Sequence, residues 1–261
     1  MKIATYNVWN EESNFALRAD RIIDEINRVD ADIIGLQEVM PEFWTLLLEH
    51  VDYRHNLFHI IESRGDGLAF LSKYPLECSF FLNESAEFQH SLALNVTFRA
   101  EGKNFSVTNV HLPWDSPLAK ERQIVAMNEF VNRQKSHIDF FLLLGDFNCG
   151  HSSSVHNFLI GEQSLLGCEV NPEWQDLAGI HAALNHYEVV PTLDFATNPR
   201  WKGNNTKYAP VTVDRIYWMD NCPNGDYRIS NAGIFGTDVS PETGLAPSDH
   251  YGVVAEVEFT D

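Results

Sequence analysis

Cysteine is scarce in this chain of 261 residues: Cys78, Cys149, Cys168 and Cys222 stand far apart, with no CxxC pair. That density cannot make a disulfide scaffold, so the thiols are expected to be reduced. Long apolar runs are missing as well. The longest dense one, Phe140 to Leu144, is far short of the roughly 20 residues that a spanning helix needs, and no transmembrane segment is expected. The opening Lys2-Ile3-Ala4-Thr5-Tyr6 is strand-like and lacks the apolar stretch of a signal peptide, which makes a cytoplasmic location the default expectation. Cations are few, 18 Lys and Arg against 37 Asp and Glu, for a formal charge of −19. Unspecific nucleic-acid binding draws its affinity from cationic contacts to phosphates, so this balance disfavours a nuclease acting on long duplexes unless a local basic patch overrides it. Walker A, Rossmann glycine, zincin HExxH and GxSxG patterns are all absent, which removes the usual support for nucleotide-cofactor and serine-hydrolase readings.

What is present is material for one large core. Hydrophobic residues make up 44% of the chain against 21% charged, and no composition break, repeat or low-complexity tract divides it. A single domain over 1–261 is the expectation. Strand and helix signals alternate, but not in the strict order of a parallel βαβ fold. After the first strand, Ser13 or Asn14 can cap a helix carrying Phe15, Ala19, Ile22, Ile23 and Ile26 on one face. Ile33 to Leu36 reads as a buried strand and Glu42 to Glu49 as a short helix. Strands are expected at Leu57 to Ile61, Gly67 to Leu71, Leu92 to Phe98 and Phe105 to Val110. Ser116-Pro117 suits the N-cap and first position of a helix bearing Ile124, Met127, Phe130 and Val131, which leads into the strand Phe140 to Leu144. His151 to Pro210 reads mostly as loop, with short helical hints near Val155 to Ile160 and Gln175 to Leu184. Three closing strands follow, Val211 to Met219, Tyr227 to Phe235 and Tyr251 to Phe259.

Polar residues recur at the ends of these apolar strands. Asn7, Glu38, His111 and the pair Asp146 and Asn148 follow C-terminal strand ends, whereas Asp214 and Asp249-His250 stand at or near strand starts. In a mixed or antiparallel sheet one strand's C-terminal end adjoins another's N-terminal end, so all eight can gather on one rim. Hard oxygen ligands without cysteine suit Mg²⁺ or Mn²⁺ better than zinc. The metal and two imidazoles can then stabilise a phosphoryl group as charge develops. Taken singly, each signal has an ordinary structural explanation: a β-turn at Gly145-Asp146-Phe147-Asn148, a helix cap at Glu38, a core histidine at His111, a loop pair at Asp249-His250. The joint pattern outweighs them.

Six ordered segments carry a family likeness: Thr5-Tyr6-Asn7-Val8, Leu36-Gln37-Glu38-Val39, Asn109-Val110-His111-Leu112, Gly145-Asp146-Phe147-Asn148, Val213-Asp214-Arg215-Ile216 and Ser248-Asp249-His250. Together they resemble the endonuclease/exonuclease/phosphatase superfamily, which includes DNase I, exonuclease III-like endonucleases, sphingomyelinases, inositol polyphosphate 5-phosphatases and deadenylases. The resemblance implies a DNase I-like four-layered α/β sandwich, two packed mixed β-sheets flanked by helices, with the site at the top of the sheets. It also implies roles. Glu38 would be the principal metal ligand, assisted by Asn7 and Asp249. Asp146 would orient or deprotonate water, and Asn148 would hold water or a phosphate oxygen. His250, paired with Asp214, would contact the scissile phosphate, while His111 stabilises the developing charge. His-Leu at 111 and 112 resembles the sphingomyelinase, 5-phosphatase and deadenylase side of the family.

Two loops bear on the substrate. Ser63-Arg64-Gly65-Asp66-Gly67-Leu68-Ala69 resembles a common family segment and also fits a Gly-rich hairpin turn, so Arg64 is a candidate substrate contact under the first reading. Asn198 to Lys207 gathers Arg200, Lys202 and Lys207 around Trp201, a set that can bind an anionic substrate with Trp201 against its apolar part. The reading is a Mg²⁺-dependent hydrolase of a small or lipid-like phosphate ester. A nuclease or end-processing phosphodiesterase is the alternative. A catalytically silent binding module of the same fold is a third, disfavoured because none of the eight residues is missing.

Overall fold

Period-two alternation of side chains sorts the strands into two sheets, each with one face toward the other and one toward helices. The computed structural model describes residues 1–11, 15–61, 64–82, 92–170, 174–201, 209–221 and 227–259. Its first half runs β1 (Lys2–Asn7), α1 (Phe15–Val29), β2 (Ile33–Val39), α2 (Pro41–His50), β3 (His55–Ile61), β4 (Asp66–Ser72), β5 (Glu77–Leu82) and β6 (Leu92–Ala100). The second half runs β7 (Lys103–His111), α3 (Pro117–Gln134), β8 (Phe140–Asp146), α4 (Ser154–Leu159), β9 (Gln175–Asp176), α5 (Leu177–Leu184), β10 (Asp214–Asp220), β11 (Tyr227–Phe235) and β12 (Gly252–Phe259). One sheet has the order β11-β12-β1-β2-β4-β3, the other β5-β6-β7-β8-β10-β9. Both are mixed. β1 runs parallel to β2 and β7 parallel to β8, and each parallel pair is joined through a helix, α1 or α3, because a tight turn cannot return a strand in the same direction.

Burial divides into three sets that match this layering. Between the sheets lie Ile3, Ile33, Phe70, Phe105, Leu142, Trp218 and Val253. On the outer face of the first sheet, Ile22, Ile26, Phe43 and Leu47 of α1 and α2 cover Tyr6, Ile34 and Leu36. On the outer face of the second, Ile124, Val131 and Phe158 of α3 and α4 cover Phe141, Leu143 and Tyr217. The result is the four-layered α/β sandwich that the family resemblance implies. No helix among the described residues is long and apolar enough to cross a membrane.

Local signals act as expected at α3, where Ser116 Oγ accepts from Ala119 N at 3.2 Å and Pro117 occupies the first helical position. Ser13 and Asn14, the candidate caps of α1, lie outside the described residues. In the region read mostly as loop, α4 and α5 form where the short helical hints stood, while Gln175 and Asp176 pair with β10 as β9. Asp176 then caps α5 by accepting from Gly179 N at 3.2 Å. β5 has no counterpart in the sequence reading, because Glu-Cys-Ser-Phe-Phe-Leu lacks clean alternation.

The two sheets are pinned together just beneath the rim. A Cβ at Gly35 would lie 2.3 Å from Leu144 Cδ1 and 3.1 Å from Asn109 Cγ, so a larger residue on β2 would force both side chains to shift. Beside it Gln37 Nε2 donates to Asn109 Oδ1 at 2.6 Å and to Thr5 Oγ1 at 3.0 Å. Asn109 Nδ2 in turn donates to the carbonyls of Leu36 and Ala69, at 2.9 and 3.1 Å. All of these side chains are buried, and an unpaired buried polar group costs about 1–3 kcal/mol. Asn109→Ala removes three hydrogen bonds at once, those of Gln37 Nε2, Leu36 O and Ala69 O, while Gln37 Nε2 keeps Thr5 Oγ1 and Gly35 O. It is expected to lower stability by about 3–5 kcal/mol, measured as a shift in the urea midpoint at unchanged m-value; a loss below about 1 kcal/mol would show that the clamp is dispensable.

Candidate active site

The same alternation that builds the core delivers the polar residues. Along β1, Ile3 and Thr5 face the other sheet, and so does Asn7 two residues on. Along β7 the inward positions Phe105, Val107 and Asn109 lead to His111; along β8, Phe140, Leu142 and Leu144 lead to Asp146. β10 runs the opposite way, and its inward series begins at Asp214 before Ile216 and Trp218. Strand register aligns three of these in one row, His111 opposite Asp146 and Asp146 opposite Asp214.

Glu38 is the exception, and a backbone irregularity accounts for it. Ile34, Leu36 and Val39 all face the helices, so unbroken alternation would send Glu38 there as well. The register of β2 against β4 shifts between Leu36 and Val39, and Glu38 adopts φ 58. It is the extra residue of a β-bulge, and the bulge re-aims it onto the rim. A non-glycine residue in the left-handed region carries backbone strain, which persists where surrounding contacts fix it. Here Glu38 Oε1 accepts from Asn7 Nδ2 at 3.0 Å and Oε2 from the Asn10 amide at 3.0 Å.

Around this point the other groups close in. Asn7 Nδ2 also donates to Asp146 Oδ2 at 3.1 Å, so one amide bridges two carboxylates. His111 Nε2 lies 3.6 Å from Asp146 Oδ2 and 3.8 Å from Glu38 Oε1. His250 Nδ1 donates to Asp214 Oδ2 at 2.9 Å, which leaves Nε2 facing Asp146 Oδ2 at 4.0 Å. Asn148, at φ 49, donates its backbone N–H to Asp146 Oδ1 at 2.8 Å and its side-chain amide to Leu112 O at 3.0 Å. The loop of Asp249 is held by Ser248 Oγ, which donates to Asn7 O at 2.8 Å. Asn198 Nδ2 and Trp201 Nε1 complete the hold by donating to Asp249 O at 3.1 and 2.9 Å. All eight residues named from the sequence therefore meet at one end of the two sheets.

Their charges are strongly coupled. Burial pushes the Asp249 carboxyl up to about 6, with Glu38, Asp146 and Asp214 adding repulsion against the attraction of His250. Burial likewise raises Asp146, with Asp214 adding to the rise and His250 and His111 opposing it. Glu38 moves the other way: burial would raise it, but His111, the Asn10 amide, Asn7 and His250 together hold it below the ordinary carboxylate range. For His250, burial favours the neutral ring and is overcome by Asp214, Asp249 and Asp146, which hold the imidazolium well above its ordinary value.

The donor set fits a hard divalent cation. Four carboxylates, Glu38, Asp146, Asp214 and Asp249, converge with a side-chain amide and no thiolate, and Asp214 Oδ1 is buried without a partner. One ligand atom each from Asp146, Asp214 and His250 lies within 4.8 Å of the others. That triad differs from the set Asn7, Glu38 and Asp249 named from the sequence. Since Asp214 and His250 are hydrogen-bonded to each other, the triad describes an oriented imidazole facing a carboxylate, whereas Glu38 keeps a carboxylate on the rim.

The outer candidates are more dispersed. Arg64 pairs with buried Asp66, Nε to Oδ1 at 3.0 Å, in the tight connection of β3 to β4. Asp66 also accepts from Asn10 Nδ2 at 2.6 Å, which ties Arg64 to the residue whose amide holds Glu38. Trp201 sits in a 3-10 turn, Pro199–Trp201, against Phe195. Lys202 and Lys207 lie outside the described residues. From the sequence, Asn10, Gln37, Asn109 and Asn198 had no role of their own in the site. Gln37 and Asn109 stand inside segments that carried the family likeness and could have been found there, whereas Asn198 had no signal beyond an Asn-rich loop.

Comparison with known proteins decides the family. The sequence model of the Endonuclease/Exonuclease/phosphatase family matches residues 4–250. The chain belongs to the endonuclease/exonuclease/phosphatase family. Its members are metal-dependent phosphoesterases and nucleases, and this chain is an enzyme of that class. No curated protein matches the chain at a significant level. Among solved structures of this fold, TDP2 from D. rerio complexed with single strand DNA product aligns at TM-score 0.79 and 16% identity, covering 99% of this chain and 98% of that one. A functionally unknown conserved protein from Enterococcus faecalis V583 aligns at TM-score 0.72 and 23% identity over 100% of both chains. A family member from Bacteroides vulgatus aligns at TM-score 0.74 and 17% identity, covering 99% of this chain and 98% of that one. At these identities the likeness is one of fold.

Proposed function

We propose that the chain is a Mg²⁺-dependent hydrolase that cleaves a small phosphate ester by attack of water. The observation that carries this reading is the convergence of Glu38, Asp146 and Asp249 with His111 and the His250–Asp214 pair, bridged by Asn7. Glu38, with Asn7 and Asp249, would hold a divalent cation, which when bound would neutralise charge on a phosphate oxygen. Asp146 orients or deprotonates the water, its Oδ1 fixed by the Asn148 amide while Oδ2 faces both imidazoles. Asp214 holds Nδ1 of His250, so Nε2 is directed to the phosphate. His111 Nε2 approaches from the opposite strand and stabilises charge on the same group.

The overall charge of −19 supports a compact substrate over a duplex. A protein making 6–10 phosphate contacts on DNA loses roughly 10³–10⁵ in affinity between 50 and 200 mM salt, and needs that many cations. DNA-end processing is the second reading, favoured by the likeness to TDP2 solved with single strand DNA product. The expected result at 150 mM salt with Mg²⁺ is a higher kcat/KM on small phosphodiesters or phosphomonoesters than on plasmid or abasic duplex DNA. A preference for either DNA would promote the second reading.

A further inference from the structure

A cleft between the start of α1 and the segment 240–247 is lined by three arginines, Arg18, Arg21 and Arg200, and by the hydroxyl-bearing Ser240 and Thr243. No acidic side chain lines it, in a chain where acids outnumber bases 37 to 18. Among the described residues, none of the three arginines pairs with a carboxylate. The side-chain partners of Arg18 and Arg200 are neutral carbonyls. Arg18 Nη1 donates to Val8 O and Pro247 O at 3.2 and 3.3 Å, and Nη2 to Trp9 O and Glu11 O at 2.8 and 2.7 Å. Arg200 Nε donates to Ala246 O at 2.7 Å. Arg18 is 3% exposed, and its Nε is buried with no partner. Both guanidinium groups lie over the same Trp9 ring, their Cζ atoms 4.9 and 5.1 Å from its centroid. Burial and the neighbouring Arg18 push Arg200 down to about 10, with Asp249 and Tyr6 opposing.

Buried charge is costly unless it is paired, and two cations this close repel each other. The hydroxyls add to the demand for an acceptor. Ser240 Oγ accepts from the amides of Glu242 and Thr243 at 3.3 and 3.4 Å, and Thr243 Oγ1 from the Leu245 amide at 3.3 Å, so each O–H keeps its hydrogen to donate. The first turn of α1 holds no acidic residue, although that end of a helix favours negative charge. We infer that the cleft is a halide site that takes chloride, and that the bound ion braces the segment carrying Asp249 and His250. Size selects the ion. The enclosed room is about 10 Å³, enough for one water-sized sphere and too little for phosphate or sulfate. Water fits the room but leaves the guanidinium charge uncompensated. The bracing follows from the bonds already present: Arg200 and Arg18 hold the carbonyls of Ala246 and Pro247, directly ahead of Ser248-Asp249-His250. Trp9, which both arginines cover, donates its N–H to Asn7 Oδ1 at 3.0 Å.

The test is thermal unfolding of the full chain at fixed sodium concentration, with gluconate replaced stepwise by chloride. A saturable rise in Tm of about 2–4 °C is expected, reproduced by bromide and accompanied by broadening of the chloride NMR resonance on adding protein. Thr243→Val, which keeps the shape and removes one donor, and Arg21→Gln should each weaken the apparent Kd for chloride about tenfold or more. Should Arg21→Gln fail to fold, Thr243→Val decides together with crystals grown in bromide, whose anomalous signal should lie in the arginine cleft. Amide exchange across 246–250 should slow in chloride. Equal Tm and linewidth in the two salts, or an unchanged Kd in the folded variants, overturns the site and leaves the cleft to water. Stabilisation by phosphate in place of chloride overturns the halide assignment in favour of an oxyanion. Bromide signal found only elsewhere overturns the location, and unchanged exchange across 246–250 overturns the bracing.

Discussion

Glu38→Ala is expected to cut kcat/KM by at least about 10³-fold while leaving the protein folded, because electrostatic stabilisation of the transition state is worth about 10²–10³ for even one removed donor. Glu38 is the carboxylate that a bulge turns out of the helix-facing series and that two separate donors fix on the rim. Calorimetric titration with Mg²⁺ should show weakened binding in the variant. The fold should hold at a modest cost in stability, since the Asn10 N–H loses its acceptor while Asn7 Nδ2 keeps Asp146 Oδ2. Chelation by EDTA should produce the same loss in the wild type. Full turnover in excess EDTA, or a variant retaining a tenth of wild-type kcat/KM, would sink the metal assignment.

His250→Ala is expected to cost about 10²–10⁴ in kcat, the range of a positioned acid or base. Asp214 accepts from Nδ1 of that ring in a bond of 2.9 Å, its one side-chain hydrogen bond among the described residues. Residues acting as a unit are non-additive, so the double variant should lose no more than about threefold beyond His250→Ala alone. Circular dichroism and the urea midpoint separate this from a folding defect, since Asp214 is fully buried at the start of β10. Losses in kcat/KM that simply multiply would break the pairing.

How much of this was readable beforehand differs by residue, for physical reasons. Asn7, His111, Asp146 and Asp214 continue inward-facing series with period two, so the sequence places them on the correct face once the strands are assigned. Glu38 breaks that rule. Its place after a strand end was legible and its role as metal ligand came from family likeness, but the way it turns inward was not, because a bulge depends on pairing with β4 and leaves no local signature in Leu-Gln-Glu-Val. The Gln37–Asn109 clamp joins strands of different sheets, and such a contact is invisible to any local pattern. Asn198 and Thr192 support the site from a loop-rich stretch, Thr192 Oγ1 accepting from the amides of Val213 and Asp214 at 3.0 Å each. A window around either residue reads only as polar loop. The helices α4 and α5 are short, and their hints in sequence were correspondingly faint.

The place of β1 has a bearing on how the enzyme comes into being. This first strand lies between β2 and β12, with Ile3 paired to Ala255 and Thr5 to Val253. A nascent chain can assemble the second sheet while β1 still waits for one of its two neighbours. Asp249 and His250 arrive only just ahead of the strand that fills the gap. Such distant pairing raises contact order and slows closure, since loop entropy is lost before the contacts form. Glu38, His111 and Asp146 thus remain an incomplete set until Asp249, His250 and β12 have been made and β12 docks beside β1.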